Sequence, residues 1–586
     1  LAGALTLGAS LSAPILLVMT AQVSGSARAG GLAVQQALGY SIHPVVMLQA
    51  LIGGLLGNPA NLVDSFWGVQ YFEAFPYYLS LYLGWGALAC ALLGVRLGGW
   101  LGLRLGVLSL AGALVSLGQY ARLDLLLEWL PLLRSFRYPC KAFFTVHLGV
   151  ALLSALGAAA LTRGGLRRAW SWLLLMAGIG GGALALLPLL PRVAPATTAS
   201  LLRQLLPGFA VPRRYELGHF ILHDAFVGGG LALLLSVCAV GVLSHRLKPT
   251  LAGVAVLTVL VVDLLRAGAG LNPTAATTFY DLSPEVREIV EEVEGGGGRL
   301  FTCDPELGEV YWQARARFEG SAEVWTVSVL LETLTPHYNM LAAIPTAYSR
   351  DLYMLTPPYR VLSPKLAGCQ DFSAIAERLR GSAVTHVISL EPLTHPSLQL
   401  LGISAPERIA PLAIYLYAVG HPLPRRLVAS QVERAASREE AERLAAREGF
   451  REAGGTVIEG QVAAEPGAVG RVVSFREAPG TVDVEVDSDR ATVFVLRDAH
   501  SPGWTARVGG GPAPVLRADG RHIAVPVPAG RSHVALRYRA PGWRPGLVLS
   551  AVAGMVLVGL GLGRPRLPRS PPRAVTPPGL GPPGRA

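Results

Sequence analysis

The chain has 586 residues, 51% of them hydrophobic and 15% charged, with a formal net charge of +11 and a mean hydropathy of +0.44. Soluble domains carry about 25% charged residues, so this balance excludes an ordinary soluble enzyme and points to a protein of the lipid bilayer. The charge is divided: residues 1–269 hold +10, residues 270–563 hold −4 and the tail 564–586 holds +5, so the large polar part carries no basic stripe and no nucleic-acid partner is expected.

A spanning helix needs about 20 mostly apolar residues. In chain order, eight windows qualify: 1–20, 77–95, 97–118, 141–162, 168–191, 223–244, 249–268 and 545–563. Leu1 opens the chain inside an apolar stretch with no basic run before it, which reads as a fragment rather than a signal peptide. The stretch 43–57, bounded by Pro44 and Pro59, is too short to span. It reads as a re-entrant or interfacial helix, with a buried packing helix as the alternative.

Basic residues near short loops set orientation. Arg96, the group Arg163, Arg167 and Arg168, the pair Arg246 and Lys248, and the tail from Arg564 to Arg573 all fall on one side if the spans alternate. That side is then cytoplasmic, and residues 21–76, 119–140, 192–222 and 270–544 face outward. Arg104, inside 97–118, reads as snorkelling to the near interface. Asp263 and Arg266, three apart near the outer end of 249–268, read as a local ion pair.

The polar region predicts helices over 283–294, 371–380 and 437–449 and a strand over 384–390. Helices alternating with strands predict an α/β domain over 270–455. From 456 the period becomes two, with Val482, Val484 and Val486 alternating with Asp483, Glu485 and Asp487. This predicts a β-sandwich over 456–544, followed directly by a final transmembrane helix over 545–563 and a disordered basic cytoplasmic tail over 564–586. Trp504 and Trp543 read as core residues, with glycan stacking as the alternative. Of five cysteines, only Cys303 and Cys369 lie in the polar region, and they can pair if it faces an oxidising compartment. No Cys/His cluster has metal-ligand spacing, so no metal or other cofactor is indicated, with a divalent metal left open. There is no Walker A, GxSxG or HExxH pattern, and Gly295–Gly298 lacks the strand–turn–helix context of a phosphate loop.

The residues that can carry chemistry sit at the outer membrane edge. In LLRSFRYPCKAFF, Arg134, Arg137 and Lys141 are spaced three and four apart. A helix through them would align them on one face. Pro139 favours a helix start, which would leave Arg137 and Tyr138 in an extended lead-in. Either geometry offers cations to a lipid-linked phosphate, with ordinary anionic headgroups as the alternative. The loop 21–76 adds Arg28, His43 and the stretch DSFWGVQYFEAFPYY, in which Asp64 and Glu73 stand among Trp67 and several tyrosines. A carboxylate among interfacial aromatics is a candidate general base, whereas the aromatics alone suit a membrane belt. In 192–222, LLRQLLPGF reads as an interfacial amphipathic helix.

These segments resemble the YfhO family of bacterial membrane proteins. The resemblance rests on Ser26-x-Arg28, His43-Pro44, Phe66-Trp67-Gly68 leading to Glu73 and Tyr77-Tyr78, and Phe136-Arg137-Tyr138-Pro139-x-Lys141. Ser501-Pro502-Gly503-Trp504, the run VPVPAG from Val525 to Gly530, Tyr538 and the last span follow in order. The family is similar to GT-C glycosyltransferases. The resemblance implies a polytopic α-helical, GT-C-like membrane protein of the bacterial cytoplasmic membrane, with an extracytoplasmic α/β unit and β-sandwich. It implies a polyprenyl-phosphate-linked sugar as donor and a cell-envelope polymer, lipid or protein as acceptor. Arg28, His43, Trp67, Arg137, Tyr138 and Lys141 would line the site, with Glu73 and Asp64 as weaker carboxylate candidates. The GT-C superfamily keeps its key acid in the first outer loop, just after the first span, and members of the family have more N-terminal spans. The chain is therefore expected to begin several spans late, to lack the main catalytic carboxylate and to be inactive alone. Two other classes stay open: an envelope-precursor transporter, which predicts polar groups along several spans near mid-bilayer, and a scaffold whose outer domain binds glycans.

Overall fold

The computed structural model describes residues 2–57, 66–72, 76–130, 134–162, 167–269, 271, 276–295, 298–318, 322–348, 354–357 and 361–562. It divides into two compact units. One comprises Leu1–Ser24, Leu427–Val495 and Ala499–Ala586, the other Gly25–Arg426 with Leu496–Asp498.

Among the described residues, six helices are long and apolar enough to cross a membrane: Gly99–Ser116, Pro139–Leu161, Arg167–Val193, Val211–Leu243, Pro249–Gly268 and Trp543–Leu560. The chain is a polytopic helical membrane protein that carries separate β-sheets and closes on an apolar helix. Two of the eight expected spans are shorter. Residues 1–20 form Ala2–Leu11 and Ala13–Val23, interrupted at Ser12, where Pro14 opens the second helix. In 77–95 only Trp85–Leu97 is helical. Gly84 enters it at φ +82°, a left-handed conformation that ends the irregular segment from 77. Thirteen helical residues reach roughly 20 Å, less than a hydrocarbon core.

In the larger unit, small residues let the helices approach closely. Val211–Leu243 packs along Arg167–Leu186, and a Cβ on Gly229 would meet the carbonyl oxygen of Gly181 at 2.7 Å. Trp85–Leu97 packs on Phe143–Thr162 in the same way, with Gly94 against the Leu153 carbonyl and Gly157 against that of Cys90. The stretch 43–57 is helical only over Pro44–Met47 and a following turn, Leu48–Ala50. Its Val46, Leu55 and Leu56 are buried among Phe66, Leu81 and Phe143, so it is a packing element of the interior.

The same unit holds a four-stranded sheet. Leu300–Thr302 runs parallel to His386–Ser389, which pairs antiparallel with Ile414–Val419, and Leu398–Ser404 lies at the edge. Pro284–Gly295 starts at Ser283, whose hydroxyl accepts the Val286 N–H at 3.2 Å. Phe372–Gly381 starts at Asp371, whose carboxylate accepts the Ala374 N–H at 3.1 Å. Both are ordinary N-caps. Cys303 and Cys369 form a disulfide.

The smaller unit is built on two sheets. Gly470–Ala478, Thr481–Ser488, Gly530–Tyr538, Trp504–Val508 and Gly511–Ala513 form the five-stranded one. Val482, Val484 and Val486 point inward, as their alternation requires. The six-stranded sheet takes in Arg426–Val428, Gln431–Ala435 and Gly455–Glu459. Residues 427–455, grouped by sequence with the α/β domain, thus pair into the sandwich. Gln431–Ala435 lies parallel to Gly455–Glu459, and Arg438–Ala445 crosses between them, burying Ala441 and Ala445 against Ala435 and Val457. That β–α–β pattern reads as α/β locally, whereas the sheet that it joins is set by distant strands. Trp504 is half-buried and lies 5.4 Å from the Tyr538 ring, and Trp543 is exposed on the last helix, so neither is a core residue.

Candidate functional site

Pro139 begins the turn Pro139–Ala142 that runs into Phe143–Thr162, as its fixed φ favours. The residue before it, Tyr138, is left-handed at φ +71° rather than extended. Its N–H donates to the Ala37 carbonyl and its own carbonyl accepts the Lys141 N–H, both at 3.1 Å. This conformation turns the Tyr138 ring onto Tyr40 at 4.7 Å and Tyr77 at 5.5 Å. The Arg137 guanidinium lies 4.5 Å from the centre of the Tyr138 ring. Lys141 Nζ lies 5.1 Å from the same ring and 5.3 Å from that of Tyr77. Arg137, Tyr138 and Lys141 thus form one cation–aromatic cluster at the head of a span. Arg134 leaves it: its Nε donates to the Leu32 carbonyl at 2.8 Å.

The other expected residues are spread more widely. Arg28 is buried in a turn in which the Ser26 hydroxyl accepts its N–H at 3.1 Å. Four residues on, Leu32 N–H donates to the Arg134 carbonyl, so this turn leads alongside the segment that carries the cluster. His43 caps Pro44–Met47 through Nδ1, which accepts the Val45 N–H at 3.1 Å. Its ring stands 4.9 Å from both Tyr71 and Tyr120, and burial pushes its pKa below the usual 6.5. It is a neutral ring with Nδ1 committed as acceptor. Tyr71 donates from its hydroxyl to the Leu205 carbonyl at 2.7 Å, and burial raises its pKa. Trp67 donates from Nε1 to the Leu55 carbonyl at 3.1 Å and lines a different feature. Asp64 and Glu73 lie outside the described residues.

That feature is a cavity of 580 Å³ at the Trp67 ring. Val211–Leu243 supplies one wall through Arg213, Glu216, Leu217, Phe220, His223 and Asp224, which recur every three or four residues and so share a helix face. Gly53, Gly54 and Gly57 form another, and Arg266 closes it from Pro249–Gly268. Arg266 Nη1 donates to Asp224 Oδ1 at 2.6 Å, and Asp224 Oδ2 accepts the Gly54 N–H at 2.9 Å. Arg266 Nη2 lies 3.6 Å from Asp263, whose two oxygens each stand 2.9 Å from the Tyr82 hydroxyl. Arg266 therefore has a nearer partner than the Asp263 expected from sequence, and that partner belongs to another helix. Asp224 and His223 escaped the sequence reading. The available signal was an aspartate inside the expected span 223–244, which by default is a functional candidate.

No family model matches the sequence, and comparison with curated proteins gives no match. One solved structure has some likeness: the arabinofuranosyltransferase AftD from mycobacteria, at 14% identity and a TM-score of 0.20, over 90% of this chain. The chain spans 57% of the length of that protein. The architecture given above rests on the chain's own helices and sheets. Among the described residues, no three His, Cys, Asp or Glu side chains come together to hold a metal ion.

Proposed function

We propose that the protein is a membrane glycosyltransferase that moves a sugar from a polyprenyl-phosphate carrier to a cell-envelope acceptor. The observation that carries this reading is the cluster in which Arg137 and Lys141 lie against one ring, Tyr138, at the head of the span Pro139–Leu161. Two cations fixed at a span terminus suit a phosphate tethered to a lipid chain. In the step envisaged, an acceptor hydroxyl oxygen bonds to the anomeric carbon while the bond from that carbon to the carrier phosphate breaks. A carboxylate takes the hydroxyl proton, and Arg137 and Lys141 take up the charge released on phosphate. The asymmetric distribution of basic residues and the Cys303–Cys369 disulfide support an extracytoplasmic site.

The test uses the whole protein in membranes supplied with labelled polyprenyl-phosphate sugars. Arg137→Ala should lower incorporation about 10²–10³-fold, the usual cost of losing one transition-state charge donor. Unchanged incorporation removes Arg137 from the site, and no incorporation with any donor rejects the transferase reading.

A further inference from the structure

We propose that the cavity at the Asp224–Arg266 pair binds an uncharged, polyhydroxylated ring such as a pyranoside, and not an anionic headgroup. This deepens the transferase reading by giving the sugar a place apart from the Arg137–Lys141 cluster, and it rests on that reading only for its biological role.

Charge balance is the first argument. Arg213 pairs with Glu216 at 2.7 Å and Arg266 with Asp224 at 2.6 Å, so each guanidinium that lines the cavity already faces a carboxylate. A phosphate would therefore meet guanidinium N–H groups but no net positive charge to offset its own. A hydroxyl needs no such offset, because it donates to carboxylate oxygens and accepts from guanidinium N–H groups. Asp224 spends two of its roughly four acceptor positions on Arg266 and Gly54, which leaves others for a ligand.

Shape is the second. The volume of 580 Å³ falls within the usual range of about 300–1,000 Å³ for small-ligand sites. Trp67 and Phe220, whose rings lie 6.4 Å apart, both line the cavity and give it apolar aromatic surface suited to the C–H side of a ring, and the Leu55 carbonyl holds the indole N–H. Gly53 and Gly54 add no side chain to this wall, and a Cβ on Gly54 would stand in ordinary contact with the Asp224 carboxyl carbon at 3.4 Å.

The test is direct binding by the purified whole protein in lipid nanodiscs, followed by saturation-transfer NMR. Maltotriose and chitotriose are the sugar probes and inorganic phosphate is the anionic one. A trisaccharide should bind, excess phosphate should not displace it, and Asp224→Asn should weaken binding at least tenfold. Glu216→Gln, on the exposed rim, should weaken it severalfold and does not threaten folding. Displacement by phosphate, failure of both sugars to bind, or unaltered affinity in both variants overturns the proposal. Competition by a polyprenyl-phosphate hexose marks the donor's ring as the occupant, and its absence marks the acceptor's. Both results sustain the assignment. Binding without any sugar incorporation keeps this site and rejects the transferase. Incorporation by variants whose trisaccharide binding is unchanged does the reverse.

Discussion

The sandwich and the helical bundle handle charge in opposite ways. In the sandwich, Val482, Val484 and Val486 fill the interior, while Asp483 and Glu485 on the same strand face out and meet Arg537 and Arg531 at 2.9 and 2.6 Å. In the bundle, Leu110, Ile179 and Val237 are exposed on the helix surfaces, while Asp224, Asp263 and Arg266 turn toward one another. Water already solvates the sandwich charges, so pairing adds little. Lipid solvates none, so a charge at bilayer depth must pair within the protein or reach the interface. A paired charge therefore says little about function on the sandwich and much in the bundle.

That contrast fails if the two kinds of pair respond alike to mutation. The largest effect is expected for Arg266→Leu, which leaves Asp224 and the buried Asp263 without their shared cation. Losing one partner of a buried pair costs about 3–5 kcal/mol, and the partial exposure of Arg266 places this case near the lower end. Thermal unfolding in detergent should show it, and a loss below about 1 kcal/mol breaks the contrast.

A charge cluster outside the spans sharpens the comparison. Burial pushes the Asp498 carboxyl up, but hydrogen bonds from Arg425 and the charge of the adjacent Arg299 outweigh it, holding the pKa at about 2. A carboxylate lowered in the folded state stabilises it fully above its unfolded pKa of about 4. That stabilisation drains away as pH falls from there through about 2. Circular dichroism melts between neutral pH and pH 2 should show a steep acid loss that Asp498→Asn flattens. Equal pH profiles would show that the cluster is not coupled to folding. The smallest effect is expected for Arg531→Ala, whose pairing with Glu485 is solvent-exposed. It should leave the midpoint of the same melts essentially unmoved.

Local pattern made some of this legible and distance hid the rest. Long apolar runs located the six spanning helices, because composition alone decides burial in lipid. The windows 1–20 and 77–95 give shorter helices, because one backbone feature, Pro14 or Gly84, interrupts the helical run. The strand Thr481–Ser488 was legible because period two is a local property. The pairing of Gln431–Ala435 into the sandwich was not, because it depends on strands far along the chain. The candidate site divides in the same way. Arg137, Tyr138 and Lys141 are near neighbours in sequence, so their cluster was visible. Asp224 meets Arg266 across 42 positions and Gly54 across 170, and no local spacing announces either contact.

The helix Val211–Leu243 has 33 residues, roughly 50 Å of rise, against a hydrocarbon core of about 30 Å. If the C-terminal 20 or so residues cross the core, the crossing begins near Asp224, and the turns with Arg213 and Glu216 stand among headgroups. The Asp224 carboxylate would then mark the waterline of the bundle. A thicker bilayer would drown it in acyl chains and a thinner one would leave it awash, so acyl-chain length becomes a dial on how wet the cavity is.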